Sequence, residues 1–246
     1  MTDAPIDARS PAFLIATLAR LIEGARHIAV GASSPIPGSA ALLVRRRSAG
    51  ATRVTVLGSR INNAFTDGGR ELFDCAAQGR IDVFFLGGGQ IDGEANINLV
   101  GTGGYPRSTV RFPGSFGSAY LYFLVPRVIL FREEHSRRVF VPKVEFVSAP
   151  GWSPPEVYRP GGPAALLTSL CLFDYDRARH RFALRSVHPG HTLEEVRDQT
   201  GFAFDAPDTV PTTPVPDAAT LAEIRAVGSE IAETYPQFAA RLAAAA

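Results

Sequence analysis

Short apolar runs alternate with amphipathic segments in the first third of the chain, and this alternation constrains the fold more than any other feature. The strand candidates are residues 27–31, 53–57 and 81–86. The helix candidates, with apolar side chains at helical spacing, are residues 11–24, 39–47 and 69–78. Because the strand candidates are almost entirely hydrophobic, they are typical of strands that are covered on both faces. The pattern predicts an α/β fold with an open, mainly parallel sheet and helices on both faces.

The rest of the chain predicts fewer and less regular elements. Further strand candidates are residues 128–131 and 144–147, and residues 166–173 and 182–187 resemble the two strands of a hairpin. Helix candidates are residues 120–125, residues 192–200 with Thr192 as N-cap, and a last helix that begins at Asp217. Four prolines between residues 205 and 216 predict an extended linker. We therefore expect one domain over residues 1–204, and over residues 205–246 a linker and helix that pack on the domain or on a partner.

Composition excludes several classes of protein. The chain has 246 residues, 46% of them hydrophobic and 20% charged, which suits a globular protein and excludes a disordered chain, a collagen and a coiled coil. No apolar run reaches the roughly 18 residues that a membrane helix needs. The net charge of +1 provides no basis for binding nucleic acid or a membrane surface. Cys75 and Cys171 have no neighbouring cysteine, so we expect reduced core cysteines. The first residues do not resemble a secretory signal, and the predicted location is the cytoplasm.

Several short motifs resemble catalytic, cofactor-binding or metal-binding motifs but lack a residue that the motif requires. His188 and His191 flank a Pro-Gly turn without a third ligand, which favours a structural turn over a metal site. The serines in residues 31–35 and 113–117 lack one of the glycines of a nucleophile elbow, which argues against a serine hydrolase. The glycines of residues 101–106 do not match a dinucleotide-binding motif. We therefore expect no metal and no bound cofactor.

Two glycine-rich loops remain as candidates for a small-molecule site. One follows the strand candidate at residues 81–86, and the other precedes the helix candidate at residues 120–125. Such loops let a ligand approach the backbone, and unpaired N–H groups can hold an anion or a developing oxyanion. The candidate residues are Gly88, Gly89 and Gln90 in the first loop, and Gly114, Ser115, Phe116 and Gly117 in the second. A packing or turn role is the alternative for both loops.

Longer stretches of the sequence resemble a known family. Residues 86–98 read LGGGQIDGEANIN, residues 109–119 read TVRFPGSFGSA, and residues 137–152 read RRVFVPKVEFVSAPGW. Together they resemble β subunits of family I CoA-transferases of the glutaconate CoA-transferase type, and the resemblance extends over residues 13–227. It implies a fold of the NagB/RpiA type and a separate α subunit, in a heterodimer or an α2β2 heterotetramer. It also implies an active site between the subunits, with coenzyme A as part of the substrate.

The resemblance fails at the residue that would be most reactive. In the transferases a β-subunit glutamate at the end of the second strand attacks the acyl-CoA. Here that position is Val56 or Leu57, and neither side chain can form an anhydride. Glu71, in the following helix candidate, is a weak alternative. The resemblance also implies that Gly114, Ser115, Phe116 or Gly117 supplies backbone N–H groups near the thioester oxygen, although Phe116 replaces the glycine that is usual there.

Some branches of the family lack this glutamate. One is a hydrolase that cleaves steroid rings carrying a CoA thioester, which this chain resembles at residues 185–190 and 195–198; another is a decarboxylase of 3-methylglutaconyl-CoA. In these branches the α subunit or the substrate provides the reacting carboxylate. We therefore predict C–C hydrolysis or decarboxylation of an acyl-CoA in a catabolic pathway. The alternatives are true CoA transfer, a non-catalytic scaffold subunit, and a stand-alone binding domain.

Overall fold

A computed structural model describes residue 7 and residues 10–244. Its helices are α1 (Pro11–Ile22), α2 (Pro35–Arg47), α3 (Gly68–Ala77), α4 (Ser118–Leu124), α5 (Leu193–Gln199), α6 (Ala218–Ile231) and α7 (Pro236–Ala244). Its longer strands are β1 (His27–Val30), β2 (Arg53–Val56), β3 (Val83–Leu86), β8 (Arg127–Phe131), β9 (Pro163–Leu167), β10 (Cys171–Asp176) and β11 (Arg181–Val187). Four two-residue strands lie between β3 and α4: β4 (Gln90–Ile91), β5 (Ile97–Asn98), β6 (Gly101–Thr102) and β7 (Val110–Arg111).

The seven longer strands form one open sheet in the order β11-β10-β9-β8-β3-β1-β2. The five strands from β9 to β2 are parallel to one another, and β10 and β11 continue the sheet in antiparallel pairing. The parallel pairs place Val56 beside Val30, and Leu86 beside Leu130. The predicted open, mainly parallel α/β sheet is confirmed.

Hydrophobic clusters cover both faces of the sheet, as predicted. On one face α1, α2, α6 and α7 bury side chains such as Phe13, Leu43 and Ile224 against Val30 and Val56. On the other face α3, α4 and α5 bury Leu72, Leu121 and Val196. Successive residues of a strand point to opposite faces, so each buried strand contributes to both clusters.

Three local predictions were wrong. Helix α2 begins at Pro35 rather than at residue 39, because proline is tolerated in the first turn of a helix. Residues 144–147 are not a strand, and the N–H of Val144 donates to the Asp92 carboxylate at 3.3 Å instead of to a neighbouring strand. Residues 166–173 are divided between β9 and β10, because the Thr168 hydroxyl accepts from the N–H of Leu170 and makes a turn.

The C-terminal residues pack on the sheet and helices of the same chain. Residues 205–213 run beside β11, where the N–H of Thr213 donates to the carbonyl of Val187 at 2.8 Å. Asp217 caps α6, and α6 packs on α2 and α1. Helix α7 was not predicted. The division of the chain at residue 204 remains a prediction.

Two buried histidines link the turns at one end of the sheet. His135 contacts the hydroxyls of Thr168 (2.8 Å) and Thr200 (3.0 Å). His188 contacts the hydroxyl of Thr213 (2.8 Å) and donates to the carbonyl of Thr168 (3.0 Å). Burial, with smaller contributions from neighbouring histidines, lowers the pKa of His135 to about 3 and that of His188 to about 4. Within the described residues, no three His, Cys, Asp or Glu side chains are grouped so as to hold a metal ion.

These two histidines predict a loss of stability in mild acid. A histidine in the unfolded chain has a pKa near 6.5. Because the folded values are lower, the unfolded state binds more protons, and the stabilisation is present above pH 6.5 and lost as the pH falls towards 4. We expect the free energy of unfolding to fall by up to roughly 1.4 kcal/mol per histidine for each pH unit between 6.5 and 5. Urea denaturation of the wild type and of His188→Gln between pH 7.5 and 5 measures this. Equal pH slopes would contradict it.

Candidate active site

The carboxyl ends of the parallel strands border a cavity of about 880 Å³. Open α/β sheets bind ligands at this edge, because the loops that follow the strands meet there. Residues after β1, β2, β3 and β8 line the cavity, and the remaining wall comes from α3, α4 and the loop before α4. The lining residues used below are Ser34, Leu57, Leu72, Phe84, Leu86, Gly88, Gly89, Phe112, Gly114, Ser115, Phe116, Leu121, Arg132 and Arg138.

Apolar side chains form the floor of the cavity at the end of β2, namely Leu57, Phe84 and Leu86. Val56 packs into the cluster beneath α1, α2 and α6 and is fully buried. Leu57, one residue later, points to the other face and lines the cavity with Phe84 and Leu86. Of the two residues at which the resemblance predicts a nucleophile, only Leu57 therefore faces the cavity. Its side chain has no lone pair with which to attack a carbonyl carbon.

Gly88 and Gly89 line the cavity, and close packing explains why they are glycines. A Cβ on Gly89 would lie 2.3 Å from the ring of Phe112, and a Cβ on Gly88 would lie 2.8 Å from the carbonyl oxygen of Gln90. Gly89 thus lets the loop pass close to Phe112, which itself lines the cavity, and Gly88 lets it approach the carbonyl of Gln90.

Gln90 does not line the cavity. It is buried, and its side-chain oxygen accepts from Asn98 Nδ2 (2.8 Å) and from the Glu145 N–H (3.1 Å). Its amide nitrogen donates to the Glu145 carboxylate at 3.1 Å. The structure therefore places Gln90 in a polar cluster behind the glycine loop.

The loop before α4 contains backbone N–H groups without an acceptor, and part of this loop lines the cavity. The N–H of Gly114 donates to the carbonyl of Leu99 at 3.1 Å, so it is already paired. Among the described residues, the N–H groups of Ser115, Phe116 and Gly117 have no acceptor. Gly117 does not line the cavity, and a Cβ there would lie 2.1 Å from the Phe73 ring. Ser115 and Phe116 thus combine a cavity position with a free N–H.

Phe116 lies at the exposed lip of the cavity in a strained conformation. Its φ is +43°, which side chains other than glycine seldom adopt, and the residue is 80% exposed. Its ring contacts Phe73 with ring centres 5.3 Å apart. This backbone geometry explains why a glycine suits the position.

Charged side chains lie on the β8 side of the cavity. Arg132 and Arg138 line it, and the Glu134 carboxylate contacts both, at 3.4 Å from Arg132 Nη2 and 3.2 Å from Arg138 Nε. No function was predicted from the sequence for the side chains of Arg132 and Arg138. The position of Arg132 directly after a parallel strand was the sequence signal for it, because the ends of such strands carry binding residues.

Glu71, the alternative nucleophile, lies outside the cavity. Its carboxylate accepts from the Thr66 hydroxyl (3.0 Å) and the Asp67 N–H (3.2 Å), which closes the start of α3. It lines a separate pocket of about 300 Å³ and does not reach the cavity.

The segment between α6 and α7 holds two of the cavity loops in place. The Glu233 carboxylate accepts from the Ser59 hydroxyl (2.7 Å) and from the Arg60 N–H (2.9 Å). The Tyr235 hydroxyl accepts from the N–H of Ser34 at 3.2 Å. The loops after β1 and β2 are therefore fixed by a part of the chain more than 170 residues away. No sequence pattern signals this contact.

Comparison with known proteins agrees with the geometry of the fold. The sequence profile of the coenzyme A transferase family matches residues 7–199. The chain belongs to this family. The match confirms the resemblance inferred from residues 86–98, 109–119 and 137–152.

Relatives within the CoA-transferase family have different activities. The chain is 34% identical to the β subunit of the 3-oxoadipate CoA-transferase of Pseudomonas knackmussii, over 65% of this chain and 63% of that protein. It is 31% identical to the cholesterol ring-cleaving hydrolase IpdB subunit of Rhodococcus jostii, over 54% of this chain and 53% of that protein. The matched part of the chain thus spans about half to two thirds of these curated relatives.

A solved structure extends the similarity to nearly the whole chain. The decarboxylase AibA/AibB superposes with a TM-score of 0.75 and 28% identity, over 88% of this chain and 94% of that chain. Separately, no helix in the part of the chain that the structure describes is long and apolar enough to cross a bilayer.

The opposite orientations of Val56 and Leu57 predict different responses to the same substitution. Leu57→Glu places a carboxylate at the cavity, where water can reach it, so we expect a loss of stability below about 2 kcal/mol. Val56→Glu buries an unpaired charge, and we expect a loss of several kcal/mol or no folded protein. Urea denaturation of the two variants provides the comparison. A more stable Val56→Glu than Leu57→Glu would show that the assignment of faces is wrong.

Removal of the Glu233 carboxylate is expected to loosen the loop after β2. In Glu233→Ala, the Arg60 N–H loses its acceptor, so hydrogen exchange in residues 58–62 should become roughly tenfold faster. Glu223→Ala is the matched control, because Glu223 lies on α6 and pairs instead with Arg47 at 2.7 Å. Hydrogen–deuterium exchange with mass spectrometry measures both variants. Unchanged exchange in Glu233→Ala would contradict the proposed restraint.

Proposed function

We propose that this chain is the β subunit of a two-subunit enzyme that cleaves a C–C bond of an acyl-CoA by hydrolysis or decarboxylation. The observation that carries the proposal is Leu57, a hydrocarbon side chain at the cavity position where the transferases present a glutamate. The partner is an α subunit, in a heterodimer or an α2β2 heterotetramer. Coenzyme A enters as part of the substrate, and the cytoplasmic location stays a prediction.

Covalent CoA transfer requires a group that this cavity lacks. In a transfer, a carboxylate oxygen bonds to the thioester carbon, the C–S bond breaks, and the CoA thiolate leaves with the electron pair. Among the described residues that line the 880 Å³ cavity, none is an aspartate or a glutamate. A covalent intermediate on this chain is therefore not expected. A reacting carboxylate would come from the α subunit or from the substrate.

The free N–H groups suit both forms of C–C cleavage. In hydrolysis, water adds to a ketone carbon and loses a proton to a base. The C–C bond then breaks, its electron pair passes to the carbon next to the thioester as an enolate, and that carbon finally takes up a proton. In decarboxylation, the C–C bond to the carboxylate breaks and carbon dioxide leaves. The electron pair of that bond passes into the system conjugated with the thioester carbonyl. Both steps develop negative charge on the thioester oxygen. The N–H groups of Ser115 and Phe116 would stabilise that charge as hydrogen-bond donors.

Similarity to relatives supports this interpretation and also a second one. AibA/AibB is a decarboxylase and the R. jostii relative is a ring-cleaving hydrolase subunit, which favours C–C cleavage. The P. knackmussii relative is a CoA-transferase subunit at 34% identity, which favours true CoA transfer as the second candidate. A scaffold role, in which the chain only completes the partner's site, remains the third.

Trapping during turnover decides between cleavage and transfer. The complex is purified with its α subunit, supplied with an acyl-CoA and a second carboxylic acid, and treated with hydroxylamine or borohydride. We expect no CoA exchange above background and no labelled carboxyl group on this chain, because Leu57 cannot form an anhydride. Mass spectrometry of each subunit locates any label. Exchange with ping-pong kinetics and a label on this chain would establish the transferase interpretation instead.

A further inference from the structure

Arg132 extends from the sheet on the same side as the cavity floor. Leu86 and Leu130 are paired across β3 and β8, and both belong to the cluster on that face. Arg132 lies two residues beyond Leu130, and side chains two apart in a strand point to the same face. Arg132 lines the 880 Å³ cavity and also an adjoining one of about 520 Å³.

The guanidinium of Arg132 has donors to spare. Its Nε is buried and has no hydrogen-bond partner among the described residues. Its contact with Glu134 is long, at 3.4 Å, whereas Glu134 is also held by the Ser136 hydroxyl at 2.7 Å and by Arg138. A guanidinium carries five N–H donors, and a buried donor without an acceptor costs free energy. Arg132 is therefore poised to gain an acceptor from a ligand.

The charged lining of the larger cavity favours an anionic acceptor there, whereas Glu133 and Glu134 line the smaller cavity. Arg132 and Arg138 are the charged residues that line the larger cavity, and the rest of its lining is apolar, glycine or serine. The Arg138 side chain is 73% exposed and pairs with Glu134 at 2.5 Å, whereas that of Arg132 is 38% exposed and its contact with Glu134 is 3.4 Å, so Arg132 is the better placed of the two. A planar guanidinium matches the two oxygens of a carboxylate or a phosphate.

We propose that Arg132 binds an anionic group of the ligand, a carboxylate or a phosphate, inside the cavity. This inference rests on the proposed function, since it assumes an acyl-CoA ligand. Three strand spacings, roughly 14 Å, separate β8 from β2. A ligand whose reacting carbon lies above Leu57 would thus carry its anionic group several atoms away, towards β8. The residue would select ligands by that group.

Calorimetric titration of the complex, purified with its α subunit, tests the proposal. The probes are glutaryl-CoA, whose acyl chain ends in a carboxylate, pentanoyl-CoA, which is uncharged there, and free coenzyme A. The variants are Arg132→Gln and Arg132→Lys. Arg127→Gln is the matched control, because Arg127 is the first residue of β8 and lies at the end of the strand opposite to Arg132. Circular dichroism checks that each variant folds, and size-exclusion chromatography checks that it assembles with the α subunit.

We expect Arg132→Gln to weaken binding roughly tenfold to a hundredfold, Arg132→Lys to weaken it less, and Arg127→Gln to leave it unchanged. A loss confined to glutaryl-CoA identifies an acyl carboxylate as the bound group. An equal loss for all three probes identifies a phosphate of coenzyme A. Wild-type affinity for all three probes in Arg132→Gln would overturn the inference. If the unsubstituted complex binds none of the probes, the proposed function fails, and this inference fails with it.

Discussion

Parallel pairing of β2, β1, β3 and β8 is the constraint on which the rest of the structure depends. Because these strands run in one direction, their carboxyl ends meet at one edge, and every loop that follows them opens there. The pairing brings together residues as distant in sequence as Leu57, Gly88 and Arg132. It also requires helices on both faces, which the two hydrophobic clusters supply.

Side-chain alternation on those strands gives each residue at the edge its role. Val56 and Leu57 are adjacent aliphatic residues, yet Val56 is part of the core and Leu57 lines the floor of the cavity. The cavity combines an apolar floor, free N–H groups at Ser115 and Phe116, and a partly unpaired guanidinium at Arg132. The proposed cleavage of an acyl-CoA and the proposed role of Arg132 both rest on this combination.

The glycine loops show where sequence interpretation succeeds and where it stops. Their position after a strand and before a helix was readable from the sequence, and Gly88, Gly89, Gly114, Ser115 and Phe116 do line the cavity. Gln90 and Gly117 have the same local signals but do not line it. Gln90 belongs to a buried polar cluster, and Gly117 leaves room for an aromatic ring. The residues that they contact are not adjacent to them in the sequence. The hydrogen bonds that Glu233 accepts from the loop after β2 could not be predicted for the same reason.

The sequence by itself determined the class of fold, the family and the missing carboxylate, because these depend on local periodicity and on residue identity. Hydrophobic runs specify strands through their own burial, and a leucine cannot become a nucleophile in any fold. The tertiary structure decided which of Val56 and Leu57 faces the cavity, which N–H groups have no acceptor, and that the Nε of Arg132 has no hydrogen-bond partner. Those facts depend on the register and direction of side chains across distant strands, which no local pattern encodes.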